Sequence, residues 1–273
     1  MYLTVSTFMI AMSISVATHS AWFTDTPLAR TYQALLNQQP QLAWQELHIA
    51  LRQHALDSRY WLPVKQEILR QSQCGQQLGQ HRRHQPLNLS ISLIKRVGLS
   101  SQGYQIKISA QHSSKLMPLE LRSPTDIVLL SGKLLKLSDY QELETNDLLS
   151  RPESGIYSLR LGDEMYPIIV AIQSNQSWLT LDQEAQRIHI TPPKNSDTCS
   201  GALASWQWFD KDYQMLGGRF PILTFNAPPP KQVPSKAKYL SAAVTIYEYQ
   251  QGIRIEYIHR VAIPFIPSEP STD

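Results

Sequence analysis

Two periodicities divide the chain. From Thr26 to about Gln80 apolar residues recur at helical spacing, and after Pro86 they alternate at a period of two. In the first region Thr26 reads as an N-cap and Pro27 as the first residue of a helix whose buried face is Leu28, Tyr32, Leu35 and Leu36. Asn37 and Pro40 interrupt that pattern before a second helix, whose stripe of Ala43, Leu47, Ala50 and Leu51 is widened by Trp44. The pair is expected to pack as an antiparallel hairpin. A third helix, starting near Ser58 or Pro63, carries Trp61, Val64, Ile68 and Leu69 toward Cys74. Pro63 leaves its start open, because proline has no backbone N–H to donate.

In lengths and small-residue positions the helices resemble a tetratricopeptide-like unit, but one hairpin and a half is short of the roughly three units that a stable array needs. Residues 22–80 therefore read as a cap packed on something else. Gly75 to Pro86, rich in Gln and His, reads as a linker. Beyond it Leu87, Leu89, Ile91 and Leu93 alternate with Asn88, Ser90 and Ser92, a half-buried strand, and Tyr104, Ile106 and Ile108 form its hairpin partner. Further strands are expected at 116–121, 127–130, 156–161, 167–172, 178–181, 187–190, 203–209, 213–216, 220–225, 239–249 and 252–263. Two hairpin turns stand out, Asp210-Lys211-Asp212 and Gln250-Gln251-Gly252. Three consecutive prolines, Pro228 to Pro230, demand an extended exposed loop. Strands without intervening helices favour antiparallel sandwiches over a parallel α/β sheet. The fold class is thus α+β, predominantly β: a three-helix cap, then β-sandwich domains over 87–174 and 177–267 with a boundary near Ser174–Gln176. A single larger sandwich is the competing division.

Composition sharpens the compartment. The first 21 residues contain no Asp, Glu, Lys or Arg, and Met9 to Val16 form an apolar stretch broken only by Ser13 and Ser15. Residues 1–21 read as a signal peptide cleaved after Ala17 or Ala21, and an uncleaved N-terminal anchor is the alternative. No later segment has the length and apolarity to span a membrane. In an oxidising compartment the two cysteines, Cys74 and Cys199, are expected to pair. The other reading is two buried thiols, and no C-x-x-C spacing suggests zinc. With 42% hydrophobic residues, 17% charged residues and a formal charge of +3, the chain is neither disordered nor nucleic-acid-binding by composition.

Short segments carry a family likeness. Thr26-Pro27-Leu28, Tyr32-Gln33-Ala34-Leu35, Ala43-Trp44-Gln45-Glu46-Leu47, Trp61-Leu62-Pro63-Val64-Lys65 and Cys74-Gly75-Gln76-Gln77-Leu78 resemble an uncharacterised secreted family of marine gamma-proteobacteria, the VxrC-like proteins. One member is encoded beside a sensor kinase and response regulator that govern envelope stress, cell-wall upkeep and type VI secretion. The resemblance is densest over residues 22–80 and thins in the β region. It implies periplasmic location and a regulatory or accessory role, and it carries no catalytic residues.

Chemistry is sparse by motif. There is no G-x-S-x-G elbow and no phosphate-cradling glycine loop, and Gly217-Gly218-Arg219 reads as a turn. Asp163-Glu164 and Asp210/Asp212 read as solvated turn acids, and the latter lack the Gly and distal Glu of a calcium loop. His189 reads as a structural strand histidine. Arg82 and Arg83, in His81-Arg82-Arg83-His84, are candidate anion binders for lipopolysaccharide or peptidoglycan. Trp206 and Trp208 share one strand face, as do Tyr247 and Tyr249 on another strand. Each pair is either a platform for sugar rings or partner side chains, or core. The resulting expectation is a non-enzymatic periplasmic binding or accessory protein, without cofactor or metal, that recognises an envelope component or a protein partner. A polysaccharide-acting enzyme whose carboxylates meet only in the fold, and a structural subunit of an envelope assembly, are the rivals.

Overall fold

The computed structural model describes residues 26–79, 88–98, 102–113, 115–136, 139–172, 177–182, 187–191, 193, 199 and 201–264. The expected signal segment 1–21, the expected boundary at 174–176 and the Arg82/Arg83 cluster lie outside them.

Three helices open the described chain: α1 (Ala29–Leu36), α2 (Pro40–Gln53) and α3 (Ser58–Gln71). The first starts later than its sequence suggests. Leu28 stands at its N-cap, and Thr26-Pro27 form a preceding turn in which Ala29 N–H donates to the Thr26 carbonyl at 2.9 Å. Pro40 occupies the first turn of α2, where its missing N–H costs nothing. In α3, Asp57 caps the N-terminus by accepting from Arg59 N–H, which moves the start ahead of Pro63 and leaves that proline inside the helix. The expected stripe is buried: Ala43, Trp44, Leu47 and Ala50 of α2 pack with Trp61, Val64, Ile68 and Leu69 of α3.

Among the described residues fourteen strands follow. They are β1 (Asn88–Val97), β2 (Gln102–Gln111), β3 (Met117–Arg122), β4 (Val128–Leu134), β5 (Tyr140–Glu144), β6 (Gly155–Leu161), β7 (Glu164–Val170), β8 (Leu179–Asp182), β9 (Arg187–Ile190), β10 (Leu203–Phe209), β11 (Met215–Pro221), β12 (Asn226–Ala227), β13 (Tyr239–Gln250) and β14 (Ile253–Pro264). One long sheet, in the order β11-β10-β13-β14-β1-β2-β5, is the backbone of the molecule. It draws strands from both sides of residues 174–176. The β13–β14 hairpin closes through Gln251 and Gly252, both at positive φ, as the Gln-Gln-Gly turn suggests. β1 pairs with β14 in parallel, the exception among otherwise antiparallel strand pairings of the described residues. In place of the two strands expected at 213–216 and 220–225 there is one bulged strand, β11, over 215–221, and the short β12 follows at 226–227.

Two smaller sheets cover one face of the long one. The four-stranded sheet β4-β3-β6-β7 buries Leu119, Leu121, Tyr157, Leu159 and Ile168 against Ile91, Ile106, Ile108 and Ile255 of the long sheet. At the other end the three-stranded sheet β12-β9-β8 packs Leu179, Ile188 and Ile190 onto Trp206, Trp208, Leu240 and Val261. The helices lie on the back of the four-stranded sheet, against Ile156, Ile169 and Ala171. Helices, small sheet and long sheet are therefore stacked in layers, each with its own core. Among the described residues no helix is long and apolar enough to cross a membrane.

A single glycine sets how closely the cap approaches the long sheet. Gly75, at φ +85°, lies so near β13 that a Cβ there would fall 1.9 Å from the Tyr249 carbonyl oxygen. Tyr249 N–H also donates to the Cys74 carbonyl at 2.8 Å. Gly75→Ala is expected to cost about 2–3 kcal/mol, combining the left-handed backbone with a steric clash. Urea denaturation checks this, and an unchanged midpoint would rule the contact out as a constraint.

Candidate functional site

The inward face of the long sheet is mostly apolar, with a band of polar side chains running obliquely across it. On β13 it reads Leu240, Ala242, Val244, Ile246, Glu248, Gln250; on β14, Ile253, Ile255, Tyr257, His259, Val261; on β1, Leu89, Ile91, Leu93, Lys95. Register places Lys95 beside His259, His259 beside Val244, and Tyr257 between Leu93 and Ile246. This polar band falls in the gap between the two covering sheets. A cavity of about 380 Å³ opens there, within the size range of small-molecule sites. Leu62, Lys65 and Leu69 of α3 line one side, Ala171, Ile172 and Trp178 another, and Cys199 a third.

Lys65 and Glu248 form the floor. Lys65 is 2% exposed and donates from Nζ to Glu248 Oε1 at 2.5 Å and to the Tyr257 hydroxyl at 3.3 Å. Gln250 Nε2 donates to the same carboxylate oxygen at 2.6 Å and to the Ile169 carbonyl at 2.8 Å, while Gln250 Oε1 accepts from Ile169 N–H. One carboxamide thus acts as a surrogate strand for the edge of β7. Tyr257 accepts from Ala171 N–H and donates to Glu248. Burial pulls the Lys65 ammonium below its ordinary range and Glu248 opposes that pull. Burial first, then Glu248, pushes the Tyr257 phenol well up. The network ties α3 to β13 and β7, and it leaves the third ammonium proton of Lys65 and Glu248 Oε2 outside its bonds.

The opposite end of the cavity is cationic and aromatic. The Trp178 and His259 rings stack at 3.8 Å, and the backbone N–H of Trp178 donates to His259 Nδ1 at 3.2 Å. Burial, then Lys95, lowers the His259 pKa to about 4. Burial, then Arg151, lowers Lys95. Because the folded His259 pKa lies below its unfolded value, its contribution is present above pH 6.5 and is lost as pH falls toward 4. In His259→Phe, which keeps the stack but not the acceptor, the stability deficit relative to wild type is expected to shrink by about 3 kcal/mol between pH 7 and pH 4. Paired denaturation curves at the two pH values test this, and a constant deficit would contradict it.

Two carboxylates, Glu67 and Glu248, line the cavity with Tyr247. Neither is placed like a glycosidase acid. Glu67 accepts from Arg70 at 2.5 and 2.7 Å, which holds its carboxyl below the usual range, the reverse of what a general acid requires. Glu248 is held by Lys65.

The residues singled out by sequence are dispersed. Trp206 and Trp208 do share a face, but they are 3% and 0% exposed in the core beneath β8 and β9, so neither ring faces solvent. Tyr247 and Tyr249 are half-buried on the other face of β13, edge to face at 5.9 Å, and the Arg254 guanidinium sits 4.6 Å from the Tyr247 ring centre. Cys74 and Cys199 are joined by a disulfide with Cα atoms 5.2 Å apart. Asp210 Oδ1 accepts from Asp212 N–H and Gln214 N–H, so it builds the hairpin turn. No metal-binding cluster occurs among the described residues. Lys65, Lys95, Arg151, Trp178, Glu248, Tyr257 and His259 were not identified by motif. Their signal is positional: Lys65 beside the apolar stripe of α3, and Lys95, Glu248 and His259 at apolar-face positions of their strands.

The profile of a family described as a protein of unknown function, DUF2861, matches residues 22–266. No curated protein matches the sequence. Among solved structures, a chain titled "Biofilm associated protein - BSP domain" is similar at 11% identity and a TM-score of 0.22, covering 66% of this chain and 30% of that one. The chain thus spans about a third of that protein's length, and the likeness carries no argument about fold or function.

Proposed function

The chain belongs to this uncharacterised family, and we propose that it is a non-enzymatic binding or accessory protein of the periplasm, linked to envelope homeostasis and signalling. The observation that carries the reading is the cavity. It is small-molecule-sized, walled by Leu62, Leu69, Ile172 and Trp178, edged by Lys95, Arg70 and Arg151, and floored by a polar network. That lining suits a ligand with an apolar or ring-bearing body and an acidic group, such as a cell-wall peptide fragment or the chain end of a partner protein. The disulfide and the charge-free apolar start of the sequence support export. Neighbouring signalling genes, as in the VxrC-like proteins, would fit a ligand-sensing role.

A titration of the oxidised protein, lacking residues 1–21, with soluble peptidoglycan fragments tests the reading. Leu62→Trp, which fills the cavity from α3, serves as the blocked variant. Saturable binding by wild type and a tenfold or greater loss in the folded Leu62→Trp protein is the expected result. Steady release of a cleaved product would replace the reading with the carboxylate-enzyme alternative. Binding unaffected by the substitution would move the site elsewhere.

A further inference from the structure

The other face of the long sheet holds a separate cationic site. Seven strands spaced about 4.8 Å apart would hold the two edges of a flat sheet about 29 Å from each other. Yet Arg219 of the β11 edge acts electrostatically on Tyr140 of the β5 edge. The sheet is therefore curled into a trough, and its curl buries the small polar residues Ser92, Ser109 and Ser241 on the inner side.

Across this trough the register aligns one row: Ala243, Arg260, Arg96 and Gly103. Two arginines stand side by side with the smallest residues on either flank, an arrangement that places like charges directly opposite each other, which costs stability. Arg219 joins them. It sits in the bulge of β11 next to Phe220, near enough to Arg260 to disfavour its charge. Within the row Arg96 is paired with Asp147, and the other cations on this face are matched too, Arg254 with Glu256 and Lys107 with Glu142. Arg260 and Arg219 form no ion pair with any described residue. Arg260 is half-buried, and burial, Arg219 and Arg96 all disfavour its charge, opposed by Glu142 and Glu144 of β5.

We propose that this row is an oxyanion site, in which Arg260, Arg96 and Arg219 together take a phosphate or phosphomonoester group. Guanidinium forks match phosphate oxygens bidentately, and three of them around one space suit a multiply charged group better than a single carboxylate. The site lies on the opposite side of the sheet from the cavity and does not depend on it.

Calorimetric titration with inorganic phosphate and with glycerol 1-phosphate, and cosedimentation with vesicles containing phosphatidic acid, distinguish a free phosphate from a lipid phosphomonoester headgroup. The expected result is saturable binding in at least one arm, weakened tenfold or more in Arg260→Gln and partly retained in Arg260→Lys. Thermal denaturation provides the second readout. In phosphate-free buffer Arg260→Gln is expected to melt at a higher temperature than wild type, because a repelled cation has gone, and phosphate should raise the wild-type melting temperature alone. Absence of saturable binding in every arm, equal binding by Arg260→Gln, or a lower melting temperature for that variant without phosphate would each overturn the proposal.

Discussion

Replacing Cys74 and Cys199 together by serine is expected to lower the unfolding free energy by about 4–5 kcal/mol, the loop-closure value for so long a covalent loop. The two residues lie 125 positions apart, so the bond restrains much of the unfolded chain. Its native side is equally consequential. Gln73, Cys74 and Gly75 are three successive left-handed residues that turn the end of α3, and Cys74 N–H donates to the Leu69 carbonyl at 2.9 Å. Cys199, at the other end of the bond, lines the cavity. Reduction should therefore both destabilise the protein and loosen one cavity wall. Urea midpoints of oxidised wild type, reduced wild type and the double serine variant measure the first effect. If all three coincide, the bond is decorative. If the reduced and serine forms agree and both fall, loop closure is the cause.

How far such features could be read in advance depends on whether they are local. The stripe of α2, the alternation of β1 and the Gln251-Gly252 turn each follow from residues a few positions apart, and the folded chain uses them as their patterns imply. β5 escaped because Tyr140-Gln141-Glu142-Leu143-Glu144 is an acidic edge segment with a single aliphatic residue, which alternation alone does not separate from a loop. The parallel register of β1 on β14 joins segments from the two ends of the β region, and no local signal announces such a pairing. For Trp206 and Trp208 the period identified a shared face, but which face met solvent was decided by β8 and β9 packing over it. The cavity belongs to the same class. Its lining comes from α3, β1, β13 and β14 and from Ala171, Ile172 and Trp178, and only tertiary packing brings them together. What the sequence does contain is each misfit by itself: a lysine, a glutamate and a histidine at positions where the surrounding period calls for aliphatic side chains.

Those misfits set the second large effect. Lys65→Met is expected to cost about 3–5 kcal/mol, because it removes one partner and leaves Glu248 beside Tyr257 and Gln250 without its cation. Glu248→Gln should cost a similar amount with a pH signature that Lys65→Met lacks. With the glutamate gone, burial lowers the Lys65 pKa without opposition, so the folded protein sheds that proton before the unfolded chain does. A lysine whose folded pKa lies below its unfolded value penalises folding while both states are charged. The penalty fades as pH rises from the folded pKa toward the unfolded one. Glu248→Gln should therefore regain stability on going from pH 7 to pH 10, and Lys65→Met should not. Lys65→Met combined with Glu248→Leu should recover most of the loss, since an apolar pair carries no desolvation penalty. Urea midpoints at both pH values decide the matter. Equal costs with no pH dependence, and no recovery in the double variant, would mean that side-chain shape rather than charge pairing holds α3 to the sheet. Recovery of stability with loss of ligand binding would assign the ion pair to recognition, at a site where two apolar residues suffice for folding.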